Sequence, residues 1–347
     1  MRNKLIPFFV LLTLTMLHFS SGRCFSQVSK TTPAVPDADV KKIAVLIVDG
    51  QNNHGSWPQT TMMMRQYLVE SGKFTVDIAR TKFTNNGGDL LAKFPLNDGR
   101  EYQDLPSPKS DPEFAPDFSK YGVVICNFGY GAAPWPDETK ASFVQFMQNG
   151  GGLVTVHAAD NCFPEWPEYN QMIGLGGWGN RNENSGPYVY YNEAGQVVRD
   201  VSNGPGGSHG SQHEFSIVMR DDQHPIVAGL PGEFLHSQDE LYDRLRGPAE
   251  NMKILATAFA SPKEGGSGRH EPMLMTVEFG KGRIFHSTLG HADYSMECVG
   301  FITTLLRGTE WAATGKVTID VPADFPTADK SSARKFKLAE SVADPRE

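Results

Sequence analysis

Ten histidines occur in this 347-residue chain, and four of them stand where apolar β-forming runs meet polar or glycine-rich loops. His54 lies in NNHGSW after KKIAVLIVDG, His157 ends GGLVTV, His213 precedes EFSIVM, and His291 follows RIFHSTLG. A neutral imidazole binds zinc and similar divalent ions through a ring lone pair, and it exchanges protons near neutral pH. One histidine at a strand end commonly does no more than hydrogen-bond to a loop. Four directed toward one edge make a candidate site. His54, His157, His213 and His291 are therefore the candidate metal ligands. Asp239 and Glu240, in HSQDELYDRL, are adjacent and face different directions, so one can enter a site while the other points away. With His157 they form the candidate acid–base set.

The remaining histidines carry less. His209 and His213 have the i, i+4 spacing of a helical metal pair, but the surrounding glycines disfavour a helix and the spacing is discounted. His286, inside the apolar run RIFHSTL, reads as a satisfied core residue, and no chemical role is expected of His18, His224 or His270. Trp57, Trp135 and Trp178 fall in expected loops beside strand ends, near Asn53 and Asn127. Indole faces with neighbouring amides suit a sugar ring, so these five are the candidate substrate-binding residues, although the same aromatics could pack under long loops.

Other chemistries find little support. No Gly-x-Ser-x-Gly elbow occurs, and neither a Walker loop nor Gly-x-Gly-x-x-Gly follows the first strand, so no nucleotide cofactor is expected. Cys24, Cys126, Cys162 and Cys298 are too scattered for a disulfide framework or a CxxC metal knuckle. Cys162 is the best-placed thiol, and it is expected to be structural. The net charge of −8 comes without a basic stripe, which argues against nucleic acid as a partner.

The elements that must position these residues follow from the apolar periodicity. Strands are expected at 41–50, 74–81, 121–127 and 153–156, with helices over about 60–71 and 137–148 between them. That alternation implies a doubly wound, mostly parallel α/β sheet. Ligands in such sheets bind beyond the carboxyl ends of the strands, where Asp49, Asn127 and His157 stand. Residues 85–116 and 174–213 are long Gly, Asn and Pro-rich excursions. Further strands are expected at 214–219 and 251–260, a hairpin over 273–289, and a final helix over 296–311.

The chain opens with Arg2 and Lys4, an apolar run from Leu5 to about Leu17, and small polar residues. This is a signal-peptide pattern, assigned to residues 1–26 and too short to anchor in a bilayer. Residues 27–40 form a flexible leader, 41–322 a single domain, and 323–347 a polar, loose tail. The mature protein is expected to be exported, periplasmic or secreted, without a membrane span. Its oligomeric state is not legible.

Five ordered blocks, VLIVDGQNNH, GGLVTVHAA, HPIVAGLP followed by DELY, GKGRIFHSTLGH and RGTEWAATG, resemble the ThuA-like proteins of trehalose utilisation from about Lys41 to Lys316. The resemblance implies a flavodoxin-like sheet of the class I glutamine amidotransferase type with long loop insertions. In that superfamily a nucleophilic cysteine sits at the elbow after the central strand; here His157 matches it, which removes glutaminase chemistry. Similar proteins are associated with bacterial use of disaccharides through 3-keto sugars. The expected partner is thus a carbohydrate. Two functions remain open: a lyase or hydrolase acting on a glycoside or 3-keto-glycoside, acid–base in type with a divalent metal (zinc or similar) as an optional cofactor, or a non-catalytic sugar-binding or assembly protein.

Overall fold

The β-branched run at the start becomes a nine-residue strand, β1 (Ile43–Gln51), buried along most of its length in the computed structural model. That structure describes residues 41–339; the expected signal peptide and leader, with His18 and Cys24, and the last eight residues lie outside the described residues. The side chains of β1 alternate. Val45 and Ile47 join a core with Met63, Met64 and Leu68 of α1 (Trp57–Glu70). Leu46 and Val48 face the other way, into a second core. A strand that is apolar on both faces needs cover on both, which is why it sits at the centre of a parallel sheet. Each such Val, Leu or Ile contributes roughly 1.5–3 kcal/mol by leaving water.

After α1 come β2 (Phe74–Asn85), β3 (Val123–Cys126), α2 (Asp137–Gln148), β4 (Gly152–Val156) and α3 (Pro167–Ile173). The second half supplies β5 (His213–Met219), β6 (Glu233–Asp239), β7 (Met252–Phe259), β8 (His270–Phe279), β9 (Gly282–Ser287) and α4 (Val299–Thr314). The parallel core runs β9-β4-β3-β1-β2, and β8, β7, β5 and β6 extend it antiparallel beyond β9. Phe143 and Met147 of α2 fill the second core. On the opposite face α4 packs closely enough that a Cβ at Gly308 would stand 2.0 Å from the Phe285 ring of β9. The β8–β9 hairpin turns at Gly280, whose φ of 59° favours glycine.

Three expectations about the elements need adjusting. Helix α1 starts at Trp57 rather than Thr60, since Pro58 is preset for a first turn. The excursion 174–213 carries its own hairpin, Tyr188–Tyr191 against Val197–Asp200. The tail is not loose as far as residue 339: Phe325 packs on Phe234 with ring centroids 5.1 Å apart, Arg334 pairs with Asp324, and Phe336 N–H donates to Glu297. Its polarity hid two aromatic anchors. No helix among the described residues is long and apolar enough to cross a membrane.

Candidate functional site

Four segments end at one edge of the sheet, and each delivers one side chain. His54 follows β1, in a turn where Asn52 Oδ1 accepts from His54 N–H at 2.9 Å and lies 3.3 Å from Nδ1. His157 follows β4 at φ 46°, a left-handed conformation costly for a residue with a Cβ, and it starts a 3-10 turn. Its Nδ1 lies 2.7 Å from Thr288 O, so that nitrogen carries a hydrogen, and in the neutral ring the lone pair is left on Nε2. Glu240 follows β6 and His291 follows β9.

These four residues bring one potential ligand atom each to within 4.8 Å of all the others. Glu240 Oε2 lies 3.2 Å from His291 Nδ1, 3.5 Å from His157 Nε2 and 3.6 Å from His54 Nε2. Bonds of about 2.0–2.2 Å at tetrahedral angles place ligand atoms about 3.3–3.6 Å apart, so the carboxylate–imidazole spacings fit one divalent ion. His157 Nε2 and His291 Nδ1 are buried without an aligned hydrogen-bond partner, despite the nearby carboxylate. Among buried polar atoms such orphans are rare, and two in one cluster point to a shared ligand. The cavity lined by His54, His157 and His291 holds about 10 Å³, space for an ion and not for a sugar.

Without an ion, the cluster is held together by its own charges. Burial lowers the His54 imidazole to about 4, leaving it neutral. Burial opposes ionisation of Glu240, but the imidazoles of His157, His291 and His54 outweigh it and hold the carboxyl well below the usual range. His157 is pushed up despite burial, because Glu240 and Asp239 stand near it. Metal binding takes neutral imidazoles beside an ionised carboxylate: His54 and Glu240 already stand in those states, and an ion would have to displace the proton that Glu240 and Asp239 favour on His157.

Several expected residues play other parts. Asp239 does not enter the site: it is fully buried, accepts from the N–H groups of Glu240 (2.8 Å), Gly290 (2.7 Å) and His291 (3.0 Å), and pairs with His236 Nε2 at 2.8 Å. It ties the segments of Glu240 and His291 together. Burial opposes its ionisation, yet His236 draws it down to about 2. His213 stays outside the cluster, because its register partner on β6 is Asp239 rather than Glu240, and its Nδ1 turns to Ser211 O at 2.7 Å. Trp57 is buried, donating to Asn85 O at 3.0 Å under Arg80, which itself is paired with Asp49. Trp135 lies in an aromatic core with Phe114, Phe128 and Phe163. Asn127 donates to Trp57 O and to the hydroxyls of Thr60 and Thr61, which fixes the start of α1 and leaves no free amide N–H for a sugar. Asn53 is exposed beside His54, with its carbonyl held by Tyr130 N–H at 2.8 Å.

Trp178 does stand at the rim. Its φ is 53°, and its ring lies 4.9 Å from Tyr242 and 6.0 Å from His209; Tyr242 in turn stacks on His157 at 4.1 Å. His209, discounted by its spacing, is a site residue: Nδ1 is 3.5 Å from Glu240 Oε1, and the side chain is 40% exposed. It arrives on a two-residue strand paired with Tyr242–Asp243, a contact that helical spacing could not reveal. His286 is a core residue as expected, between Ile173 O and Asp160. Cys162 is buried, its thiol pushed well up by burial and donating to Ala159 O. Two larger clefts, of about 580 and 610 Å³, share no residue with the cluster.

A mostly parallel sheet with helices on both faces and a strained residue directly after β4 defines a class I glutamine amidotransferase-like fold. Within that class the chain belongs to the ThuA family, described as trehalose utilisation, whose model matches residues 105–312. It is 45% identical to a ThuA-like protein from Parabacteroides merdae, covering 86% of this chain and all of that one with a TM-score of 0.75. A ThuA-like protein from Bacteroides uniformis is 17% identical, over 82% of this chain and 97% of that one, with a TM-score of 0.46. No curated protein matches the chain.

Proposed function

We propose that this protein is an exported carbohydrate-active enzyme that opens a glycoside or 3-keto-glycoside at a divalent metal centre held by His54, His157, Glu240 and His291. The observation that carries the reading is the convergence of three imidazoles and one carboxylate within 4.8 Å. Membership of a trehalose-utilisation family supports the substrate class, and the N-terminal signal pattern supports export. A bound divalent ion would polarise a sugar carbonyl and stabilise negative charge on its oxygen. Because four protein ligands would fill a tetrahedron, the residues suit an ion that could also accept a substrate oxygen, as several first-row metals can.

The chain's own residues supply the rest. With His157 and Glu240 committed as ligands and Asp239 buried, proton transfer falls to His209, the accessible histidine at the rim. In a 3-keto-glycoside the C–H between the carbonyl and the glycosidic carbon is acidic. A base removes that proton, the C–H pair becomes a C=C bond, and the glycosidic oxygen leaves with its bonding pair and takes up a proton. Trp178 offers an indole beside His209 for the sugar face.

The test is to incubate the metal-loaded protein with disaccharides and their 3-keto forms and read the products by mass spectrometry. Cleavage of a keto-glycoside that stops with chelator is the expected result. Saturable binding with no product from any substrate would overturn the catalytic reading in favour of a sugar-binding protein.

A further inference from the structure

A second cavity, of about 330 Å³, opens between the 130–135 turn, the 161–166 segment and residues 179–180. That is within the size of small-ligand pockets, about 300–1,000 Å³. Its walls are aromatic: Trp135, Phe163 and Trp166 are nearly buried, and Tyr130, at 50% exposure, stands at the mouth. Two lining residues hold buried polar atoms without a partner, Trp135 Nε1 and Asn161 Oδ1. One is a donor and the other an acceptor, and both residues are more than nine-tenths buried. Of the two charged wall residues, Lys140 is neutralised by Asp137 at 2.6 Å, and Glu165 is an exposed carboxylate at the rim. Trp135 Nε1 and Asn161 Oδ1 are sealed behind the wall, and the accessible polar groups are the Glu165 carboxylate and the Asn180 amide; with aromatic faces they suit a neutral hydroxylated ring better than an anion or a lipid chain.

The cavity is also coupled to the histidine cluster by side chains. Asn161 Nδ2 donates to the Tyr242 hydroxyl at 3.2 Å, and the Tyr242 ring stacks on His157. Tyr130 is tied through its N–H to Asn53, next to His54. Arg181 clamps the frame, donating to Gly177 O, Cys162 O and Asn170 Oδ1. We infer that this cavity is a second subsite that takes one neutral sugar ring, the far unit of a saccharide whose near unit reaches the cluster. The near-unit half rests on the carbohydrate reading above, whereas ring binding in the cavity stands on its own geometry.

The experiment is a tryptophan-fluorescence titration of the full protein with trehalose. Trp135 and Trp166 report on the cavity; a Trp178→Phe background removes the rim indole, and dependence of the signal on Tyr130 separates it from that of Trp57, which lines the cluster's own cavity. Expected is a saturable change that weakens about tenfold or more in Tyr130→Ala and stays within about threefold in Tyr130→Phe, which keeps the ring. In His157→Ala the near unit loses its contact and affinity weakens, but the Tyr130→Ala effect is expected to persist in that background, so loss of the metal centre leaves the subsite readable. Absence of a saturable change, an affinity indifferent to Tyr130→Ala, or an affinity abolished only by His157→Ala would overturn the subsite. Thermal melting of both Tyr130 variants verifies that each is folded.

Discussion

Two groupings of histidine with carboxylate lie a few residues apart and behave oppositely. In the buried pair, His236 Nε2 meets Asp239 at 2.8 Å, and Asp239 collects three backbone N–H groups besides. In the cluster, Glu240 faces three imidazoles at 3.2–3.6 Å, and two of their nitrogens have no aligned partner. The first arrangement is saturated and stitches Glu240 to His291; the second is left open. A buried polar group left unpaired costs about 1–3 kcal/mol, so the open arrangement is maintained at the expense of stability. Residue type is the same in both. Saturation separates scaffold from site.

Removing the carboxylate charge of the saturated pair should have the largest effect. Asp239→Asn leaves the buried His236 charge with Cys298 as its remaining support and weakens the knot between β6 and the Gly290–His291 turn, so a loss of about 3–5 kcal/mol is expected in urea unfolding. A loss below about 1 kcal/mol would mean that the pair is not the scaffold.

Glu240→Gln tests the open arrangement. The variant should fold, since no backbone group depends on that carboxylate, while metal affinity and turnover fall by more than about 100-fold. Equilibrium dialysis against zinc and product assays measure the two. Unfolding without metal loss would invert the comparison.

The two carboxylate groupings should also differ in pH response. Burial works against the His236 charge, but Cys298 and Asp239 beside it lift its pKa to about 10, above an unperturbed 6.5. Its stabilisation is complete below about pH 6.5 and is lost as pH rises toward 10. Asp239 at about 2, against 3.8, contributes above about pH 4 and loses its contribution as pH falls toward 2. Unfolding free energy compared between the wild type and Asp239→Asn should therefore diverge least at both extremes and most between about pH 4 and 6.5. A constant difference across that range would contradict the pair.

The smallest effect is expected far from both. Cys162→Ser keeps a donor toward Ala159 O in a buried site, so turnover should stay within about an order of magnitude and metal content should not change. Complete loss of turnover with the fold intact would revive thiol chemistry.

The β-branched runs made the parallel core legible, because a strand buried on both faces has to be almost continuously apolar, as IAVLIV at 43–48 and GLVTV at 152–156 are. Placement of His54 and His157 at its carboxyl edge followed from strand direction, whereas His291, which follows a hairpin, was brought there only by the resemblance of its block. The adjacency of Asp239 and Glu240 indicated that one carboxylate would turn away, but which one depends on the β5–β6 register, where an irregularity falls between His236 and Asp239. Trp57 and Trp135 were misplaced because a loop aromatic packs inward or outward according to neighbours distant in the chain. His209 was hidden by the opposite problem: its partner strand is two residues long, below any periodic signal.

The central claim is that four side chains share one ion, and metal analysis by mass spectrometry after gel filtration tests it most directly. Wild-type protein incubated with a divalent first-row metal should retain about one ion per chain, and His157→Ala, Glu240→Gln and His291→Ala should each retain far less, since each removes one of four ligands. Wild-type protein that retains no ion, or a His157→Ala variant that retains as much as the wild type, would contradict the account.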